Sequence, residues 1–100
     1  MTYQVRLSKA IRQRLRDLPG NVRNIARDRI ISLAEQPRPQ DAKELENHSN
    51  YYRVWIGNRF RLVWQVIDEE MLVDILYVGV KLPDLYDRLG LARSSPENDE

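Results

Sequence analysis

The cationic and aromatic side chains between residues 51 and 66 are the ones whose types and spacing best suit chemistry. Arg53 and Trp55 stand two positions apart in a stretch of alternating apolar residues, so on a strand they share one face. A second alternating stretch offers Arg61 and Gln65 at cross-strand distance. Guanidinium groups bind phosphate through paired hydrogen bonds, and an exposed indole ring can stack an unpaired base. The pattern therefore predicts a surface that binds RNA.

A purely structural interpretation of the same residues stays open. The outer face of a half-buried sheet is often polar for solubility alone, and tryptophan is more often a packing residue than a binding platform. Under either interpretation the sequence places Arg53 and Arg61 on an outward face. Trp55 is then either a stacking platform or part of the packing.

The sequence lacks the residues that several other kinds of active site require. The chain has no Gly-rich phosphate-binding loop, no nucleophile elbow and no cysteine. Its single histidine, His48, sits in a polar stretch and is interpreted as a surface residue. The run Asp68-Glu69-Glu70 joins two apolar stretches and is more typical of a turn than of a magnesium site. We therefore expect neither a metal nor another cofactor.

Hydrophobic periodicity predicts the elements that position these residues. Alternation over residues 3–7 predicts a first strand. Ser8 is a natural N-cap for a helix that ends at Pro19-Gly20. Asn21 is expected to cap a second helix, which carries one apolar stripe and ends before Pro37. The first third of the chain is therefore a strand followed by a helical hairpin.

The middle of the chain predicts three further strands. Residues 51–56 and 59–66 alternate on either side of a hairpin turn at Gly57-Asn58. The run 71–80 is apolar at nearly every position, which is typical of a strand covered on both faces, so we expect it inside the sheet. In the polar connection before these strands, residues 42–46 can form one helical turn.

A short last helix completes the predicted fold. Pro83 suits its first position, and Gly90 suits its C-terminal cap. Residues 1–90 are expected to form a single domain and residues 91–100 a disordered tail. The predicted class is α+β, with an N-terminal strand, a two-helix hairpin, a three-stranded antiparallel meander in one mainly antiparallel sheet, and the short helix.

Composition and charge narrow the class of protein. No stretch of the 100 residues is apolar enough to cross a bilayer, and the N-terminus does not resemble a secretory signal, so we expect a cytoplasmic protein that does not bind membranes. The net charge of +1 hides a segregation, because residues 1–33 carry eight Lys/Arg against two Asp/Glu. Such a basic region can face phosphates, although an Arg-rich solvated helix face explains it equally well.

Two segments of the sequence resemble the signature regions of the RelE/ParE superfamily of bacterial toxins, and of RelE in particular. They are residues 52–64 (YRVWIGNRFRLVW) and 77–86 (YVGVKLPDLY). The helical hairpin and Lys43-Glu44-Leu45 match the family in order and spacing, so the resemblance extends from Tyr3 to Tyr86. It implies the RelE fold, which is similar to that of microbial ribonucleases.

The resemblance to RelE also implies a function and a set of site residues. The implied activity is that of an mRNA interferase, a metal-independent endoribonuclease that cuts messenger RNA on the ribosome and is neutralised by a cognate antitoxin. The residues expected to act in catalysis are Arg53, Arg61, Lys81 and Tyr86. The residues expected to bind RNA are Arg53, Trp55, Arg59 and Gln65.

The chemistry implied for these residues is internal attack by a ribose 2′-hydroxyl on its own 3′ phosphodiester. Arg61 and Lys81 would stabilise the charge that develops on the phosphoryl oxygens, and Tyr86 would transfer a proton. Tyr86 can instead be an aromatic anchor for the last helix. Two positions depart from the family pattern, because Trp55 and Val80 stand where many members have basic residues.

Two rival functions remain open at the level of sequence. A ParE-like protein shares the fold and inhibits DNA gyrase by binding, without RNA chemistry. A degenerate member would bind only its antitoxin. Since a fold does not fix a function, neither rival is removed by the resemblance alone.

Overall fold

A five-stranded sheet organises the computed structural model, which describes residues 2–91. Its strands are β1 Gln4–Leu7, β2 Lys43–Glu44, β3 Tyr51–Ile56, β4 Phe60–Ile67 and β5 Leu72–Val80. They lie in the order β1-β5-β4-β3-β2, with β1 parallel to β5 and every other pair antiparallel. The helices are α1 Lys9–Arg16, α2 Gly20–Ser32 and α3 Leu85–Arg88. The predicted α+β class and mainly antiparallel sheet are confirmed.

The first helix of the hairpin has the predicted N-cap, and the second helix has a different one. Ser8 caps α1, its Oγ accepting a hydrogen bond from the Ile11 N–H at 3.2 Å. The prediction that Asn21 caps α2 is wrong, because the helix already begins at Gly20 and Pro19 is its N-cap. The Pro19 carbonyl accepts the first helical hydrogen bond, from the Arg23 N–H at 2.7 Å.

The segment before β3 forms a strand where a helical turn was expected. Lys43 and Glu44 pair with β3 in antiparallel register. The Glu44 carboxylate accepts the Asn50 N–H at 2.7 Å, and the Leu45 N–H donates to the Tyr51 carbonyl at 2.8 Å. This pairing provides hydrogen-bond partners for backbone groups along the edge of β3, and it buries Leu45. A helical turn at residues 42–46 would do neither. The sheet consequently has five strands, one more than predicted.

The pairing of β5 with β4 contains an irregularity. Val63 pairs with Tyr77 and Trp64 pairs with Ile75, so Leu76 has no direct partner on β4. The extra residue is a β-bulge, and it reverses which face the following side chains occupy. Ile75 and Val78 therefore both belong to the core under the helices, while Tyr77 packs on the opposite face. The predicted interior position of β5 is confirmed, since it lies between β1 and β4.

The two faces of the sheet carry separate cores. The larger core lies between the sheet and helices α1 and α2 and includes Trp64, whose indole Nε1 donates to the Pro37 carbonyl at 2.9 Å. The smaller core lies on the other face, under α3, and consists of Leu45, Val63, Tyr77, Leu85, Tyr86 and Leu91. One end of β4 and β5 is therefore covered on both sides. This covered end is where the candidate site lies.

The last helix closes the smaller core. The prediction that Pro83 occupies its first position is wrong, because the helix begins at Leu85 with Asp84 as its N-cap; Gly90 follows its C-terminal cap with φ 75°. Leu91, assigned to the tail by the sequence, is buried and donates its N–H to the Tyr86 carbonyl at 2.7 Å. The remainder of the predicted tail, residues 92–100, lies outside the described residues. No helix within residues 2–91 has the length and apolar character needed to cross a membrane.

A polar network around Arg38 joins the start of β1 to the loops and to β3. Arg38 donates to Asn50 Oδ1 at 2.8 Å, to Tyr52 Oη at 2.8 Å and to both carboxylate oxygens of Asp68. Tyr3 Oη also donates to Asp68, at 2.6 Å. The run Asp68–Glu70 forms the predicted turn, as one turn of 3₁₀ helix. The carboxylate of Asp68 therefore holds together segments that are far apart in the sequence.

This network makes stability depend on pH in a defined direction. The hydrogen bonds from Arg38 and Tyr3 hold the pKa of Asp68 below its ordinary value of 3.8. A carboxylate with a depressed pKa in the folded state stabilises the fold above its unfolded pKa, and this contribution is lost as pH falls through the folded pKa. We expect Asp68→Asn to lower the Tm at pH 7, and the difference from wild type to shrink below pH 3.8. Thermal unfolding followed by circular dichroism measures both.

The neighbouring Glu69→Gln is the matched control, since it removes a charge from the same exposed turn and should leave the Tm unchanged. A Tm difference for Asp68→Asn that stays constant down to pH 3, or that is absent at pH 7, would contradict the role given to the network.

Candidate active site

The centre of the candidate site is a buried arginine. Arg61 lies on β4, paired with Trp55 on β3 and with Gly79 on β5, and its exposed fraction is 0%. Its guanidinium carbon lies 3.9 Å from the centroid of the Trp55 ring, and its Nη1 donates a hydrogen bond to Tyr86 Oη. The charged group is therefore held between an indole on the sheet and a phenol on α3.

The burial of Arg61 corrects the outward position expected from the sequence. Strand alternation does put its side chain on the face opposite the main core, but that face is not open to solvent at this end. Tyr86 on α3 and Trp55 on β3 cover the guanidinium together. Arg53, on the same face, is only half-buried, in closer agreement with the expectation.

The backbone next to Arg61 is Gly79, and the close packing requires a glycine there. A Cβ on this residue would lie 2.9 Å from Tyr77 Oη and 3.2 Å from its Cζ. The Tyr77 hydroxyl is fixed, because it donates to the Val80 carbonyl at 2.6 Å. Arg14 of α1 lies 4.7 Å from the Tyr77 ring centroid and covers it from the side. Any larger residue at position 79 would displace this arrangement opposite Arg61.

Tyr86 packs as an aromatic anchor and also contacts Arg61 through its hydroxyl. Its ring is buried, 7% exposed, and packs in the smaller core as an anchor would. Its hydroxyl at the same time accepts the hydrogen bond from Arg61. Lys81 lies beside it, with its Nζ 5.6 Å from the centroid of the Tyr86 ring. Two cations therefore flank one phenol.

A cavity of about 160 Å³ opens in front of Arg61. Its lining residues are Asp41, Lys43, Arg53, Val54, Trp55 and Arg61. Three of them are cationic, and the carboxylate of Asp41 is ion-paired with Arg29 at 2.9 Å. Trp55, which is 42% exposed, forms part of the wall while it covers Arg61. An anion of modest size is the ligand class that suits such a cavity.

The structure brings five of the seven predicted site residues together and leaves two outside. Those that cluster are Arg53, Trp55, Arg61, Lys81 and Tyr86. Arg59 is exposed beside the hairpin turn, and its carbonyl accepts the Lys81 N–H at 3.0 Å, so it lies at the rim. Gln65 is four residues along β4 from Arg61, about 13 Å away at the spacing of a strand.

Sequence reasoning missed Lys43 and Asp41 as parts of the cavity. Both precede β3 in a segment whose pairing with that strand was not predicted, and neither belongs to an alternating pattern. The sequence also gave no indication that Lys43 and Arg53 are neighbours, because the two residues are ten positions apart in the chain. Within residues 2–91, no three His, Asp or Glu side chains are grouped so that they could hold a metal ion.

The chain is similar in sequence to known RelE proteins. No family model matches the chain. Over 80 residues the chain is 29% identical to the mRNA interferase toxin RelE of Escherichia coli (strain K12) and to the mRNA interferase RelE of Shigella flexneri. Each alignment covers 79% of this chain and 83% of the relative.

Solved structures of RelE proteins share the fold. A mutant of E. coli RelE in the free state matches with a TM-score of 0.74 and 25% identity, over 90% of this chain and 96% of that one. RelE in the intact E. coli RelBE toxin-antitoxin complex matches with a TM-score of 0.68 and 27% identity, over 80% and 98%. The RelE-RelB complex of Pyrococcus horikoshii gives 0.69 and 25%, over 80% and 96%. Sequence similarity and fold agree, and both make this chain similar to RelE proteins.

Proposed function

We propose that this chain is the toxin of a toxin-antitoxin pair and that it acts as an endoribonuclease on messenger RNA bound to the ribosome. The observation that carries the proposal is the buried Arg61 guanidinium, held by Trp55 and Tyr86 at the wall of a cationic cavity. The relatives with this fold and with detectable sequence similarity are named mRNA interferases. A ParE-like inhibition of gyrase gains no support from them.

Arg61 is suited to stabilise the transition state of RNA cleavage. The 2′-oxygen attacks the adjacent phosphorus, the bond to the 5′-oxygen breaks, and the products are a 2′,3′-cyclic phosphate and a 5′-hydroxyl. Negative charge grows on the phosphoryl oxygens during the attack. A guanidinium that is already desolvated and fixed stabilises that charge more strongly than one in water, because the effective dielectric constant around it is lower.

Tyr86 is the residue in the cluster best placed to move a proton. Reaction requires one proton to leave the 2′-hydroxyl and one to reach the departing 5′-oxygen. In the bond with Arg61, the Tyr86 oxygen is the acceptor, so its own O–H proton is not used there. Lys81 and Arg53 add positive charge on either side of Arg61 and would hold the phosphate in place.

The partner follows from the same relatives. Similar RelE chains are seen with the antitoxin RelB in the E. coli and Pyrococcus horikoshii complexes. We therefore propose a cognate antitoxin for this chain, encoded beside its gene. The excess of Arg over acidic residues in α1 and α2 favours an acidic or amphipathic segment that folds on binding.

Co-expression tests the partner. The adjacent small protein should co-purify with this chain and should relieve the growth arrest that the chain causes alone. The same experiment with the antitoxin of an unrelated toxin is the control. An adjacent protein that neither co-purifies nor relieves the arrest would remove the main support for a toxin-antitoxin pair.

Substitution of Arg61 tests the catalytic proposal. We expect Arg61→Ala to slow cleavage of mRNA on purified ribosomes by roughly 10² to 10³, equivalent to about 3 to 4 kcal/mol of transition-state stabilisation. Because Arg61 is buried, the variant should also have a lower Tm. Arg61→Lys separates the two effects, since it keeps a charge and most of the volume but loses the planar fork.

The control for Arg61 is Arg12→Ala, which removes an exposed arginine from α1 and should keep the wild-type cleavage rate. Wild-type rates for both Arg61→Ala and Arg61→Lys, measured below their Tm values, would show that Arg61 takes no part in the chemistry.

Substitution of Tyr86 tests proton transfer. Tyr86→Phe keeps the buried ring, so the protein should fold, with a Tm lowered by loss of the acceptor for Arg61. We expect cleavage to slow by about 10² or more and the pH dependence of the rate to change shape, as loss of a general acid or base requires. If Tyr86→Phe cleaves at the wild-type rate while Tyr86→Ala unfolds, Tyr86 is an anchor and has no chemical role.

A further inference from the structure

The peptide unit at the end of β5, between Val80 and Lys81, is held from both sides. Its N–H belongs to Lys81 and donates to the Arg59 carbonyl at 3.0 Å. Its C=O belongs to Val80 and accepts the hydroxyl of Tyr77 at 2.6 Å. We propose that Tyr77 is a positioning residue for Lys81 and acts through this peptide unit. The proposal rests on the proposed function, in which Lys81 holds the phosphate.

The Val80 carbonyl points to an edge of β5 that no strand covers. In a trans peptide the C=O and the N–H point in opposite directions, and residues 2–91 contain no cis peptide bond. The Lys81 N–H points towards the β4 side, so the Val80 carbonyl points towards the opposite edge. On that edge β1 pairs only with residues 72–75, and in the described sheet no strand reaches residues 76–80. The Tyr77 hydroxyl takes the place of a strand there.

Contacts on three sides direct the Tyr77 hydroxyl at this carbonyl. The ring is 5% exposed and packs in the smaller core with Tyr86. The guanidinium carbon of Arg14 lies 4.7 Å from the ring centroid. A Cβ on Gly79 would lie 2.9 Å from Tyr77 Oη, so a glycine is what lets the hydroxyl pass this residue and reach the next one.

The position of this peptide unit matters because the lysine side chain that follows it is flexible. A lysine carries its ammonium on a four-carbon stem, so its backbone sets the region that the charge can reach. The Nζ of Lys81 lies 5.6 Å from the centroid of the Tyr86 ring. A misplacement of about 1 Å near the reacting groups can lower the rate by about 10². Tyr77 therefore acts on the reaction through Lys81 and does not itself touch RNA.

The same hydrogen bond has a second explanation, in which it serves stability alone. A buried tyrosine hydroxyl usually has a hydrogen-bond partner, whether or not the protein is an enzyme. In that case loss of the Tyr77 hydroxyl lowers the Tm and changes the cleavage rate by the same factor with or without Lys81. A positioning role predicts instead that the effect on the rate disappears when the Lys81 side chain is absent.

A double-mutant cycle on Tyr77 and Lys81 tests the proposal. The measured quantity is the single-turnover rate of mRNA cleavage on ribosomes at saturating ribosome concentration, below the Tm of each variant. Tyr77→Phe keeps the ring and should slow cleavage by about 10-fold or more. In the Lys81→Ala background the same substitution should change the rate by less than about 2-fold, as expected when one residue acts through the other.

The matched control is Tyr3→Phe, which removes an equally short tyrosine hydrogen bond, 2.6 Å to Asp68, away from the site. It should keep the wild-type cleavage rate. Exchange of the Lys81 amide hydrogen, followed by NMR without RNA, gives a readout that does not depend on activity. Tyr77→Phe should speed this exchange by roughly 5-fold, the factor for loss of one hydrogen bond, and Tyr3→Phe should leave it unchanged.

Two results would overturn the positioning role while the proposed function stands. In the first, wild type cleaves and Tyr77→Phe slows cleavage by the same factor with and without Lys81. In the second, wild type cleaves and Tyr77→Phe changes neither the rate nor the exchange of the Lys81 amide. A wild-type protein that does not cleave mRNA on ribosomes overturns the proposed function, and the role of Tyr77 in the reaction falls with it.

Discussion

The burial of a charged guanidinium beneath two aromatic side chains is the interaction on which the rest of the site depends. Removing Arg61 from water is unfavourable unless the charge regains its interactions inside the protein. Trp55 provides a ring face at 3.9 Å, and Tyr86 provides a hydroxyl acceptor. The β3-β4 register sets the first partner and the docking of α3 sets the second. Opposite Arg61 on β5, Gly79 leaves room for the side chain of Tyr77.

This arrangement links the stability of one end of the molecule to the chemistry proposed for Arg61 and Tyr86. The smaller core that holds α3 on the sheet also holds the hydroxyl of Tyr86 against Arg61. A cation fixed in this way does not need to reorganise when charge develops on a phosphate, which is the main source of electrostatic catalysis. The Trp55 ring covers the guanidinium of Arg61 and helps to fix it. Lys43 and Arg53 add further positive charge to the lining of the cavity.

Local sequence patterns predicted most of the fold, because strand alternation and helix capping depend on residues that are close together in the sequence. Alternation identified β1, β3 and β4, and the side-chain oxygen of Ser8 identified the start of α1. What the sequence did not predict depends on contacts between distant segments. The pairing of β2 with β3 overrode the weak helical tendency of residues 42–46. The burial of Arg61 was missed because strand alternation is the same for a solvated arginine and for one covered by α3.

The most direct test of the account is primer extension on cellular RNA after brief induction of the wild-type chain, with Arg61→Ala as the comparison. The account predicts breaks in translated messages, in phase with codons, that appear within minutes of induction and are absent or much weaker with the variant. Intact messages in cells whose replication has stalled would contradict it. In that case the buried arginine would serve the fold alone, and the target of the protein would be gyrase.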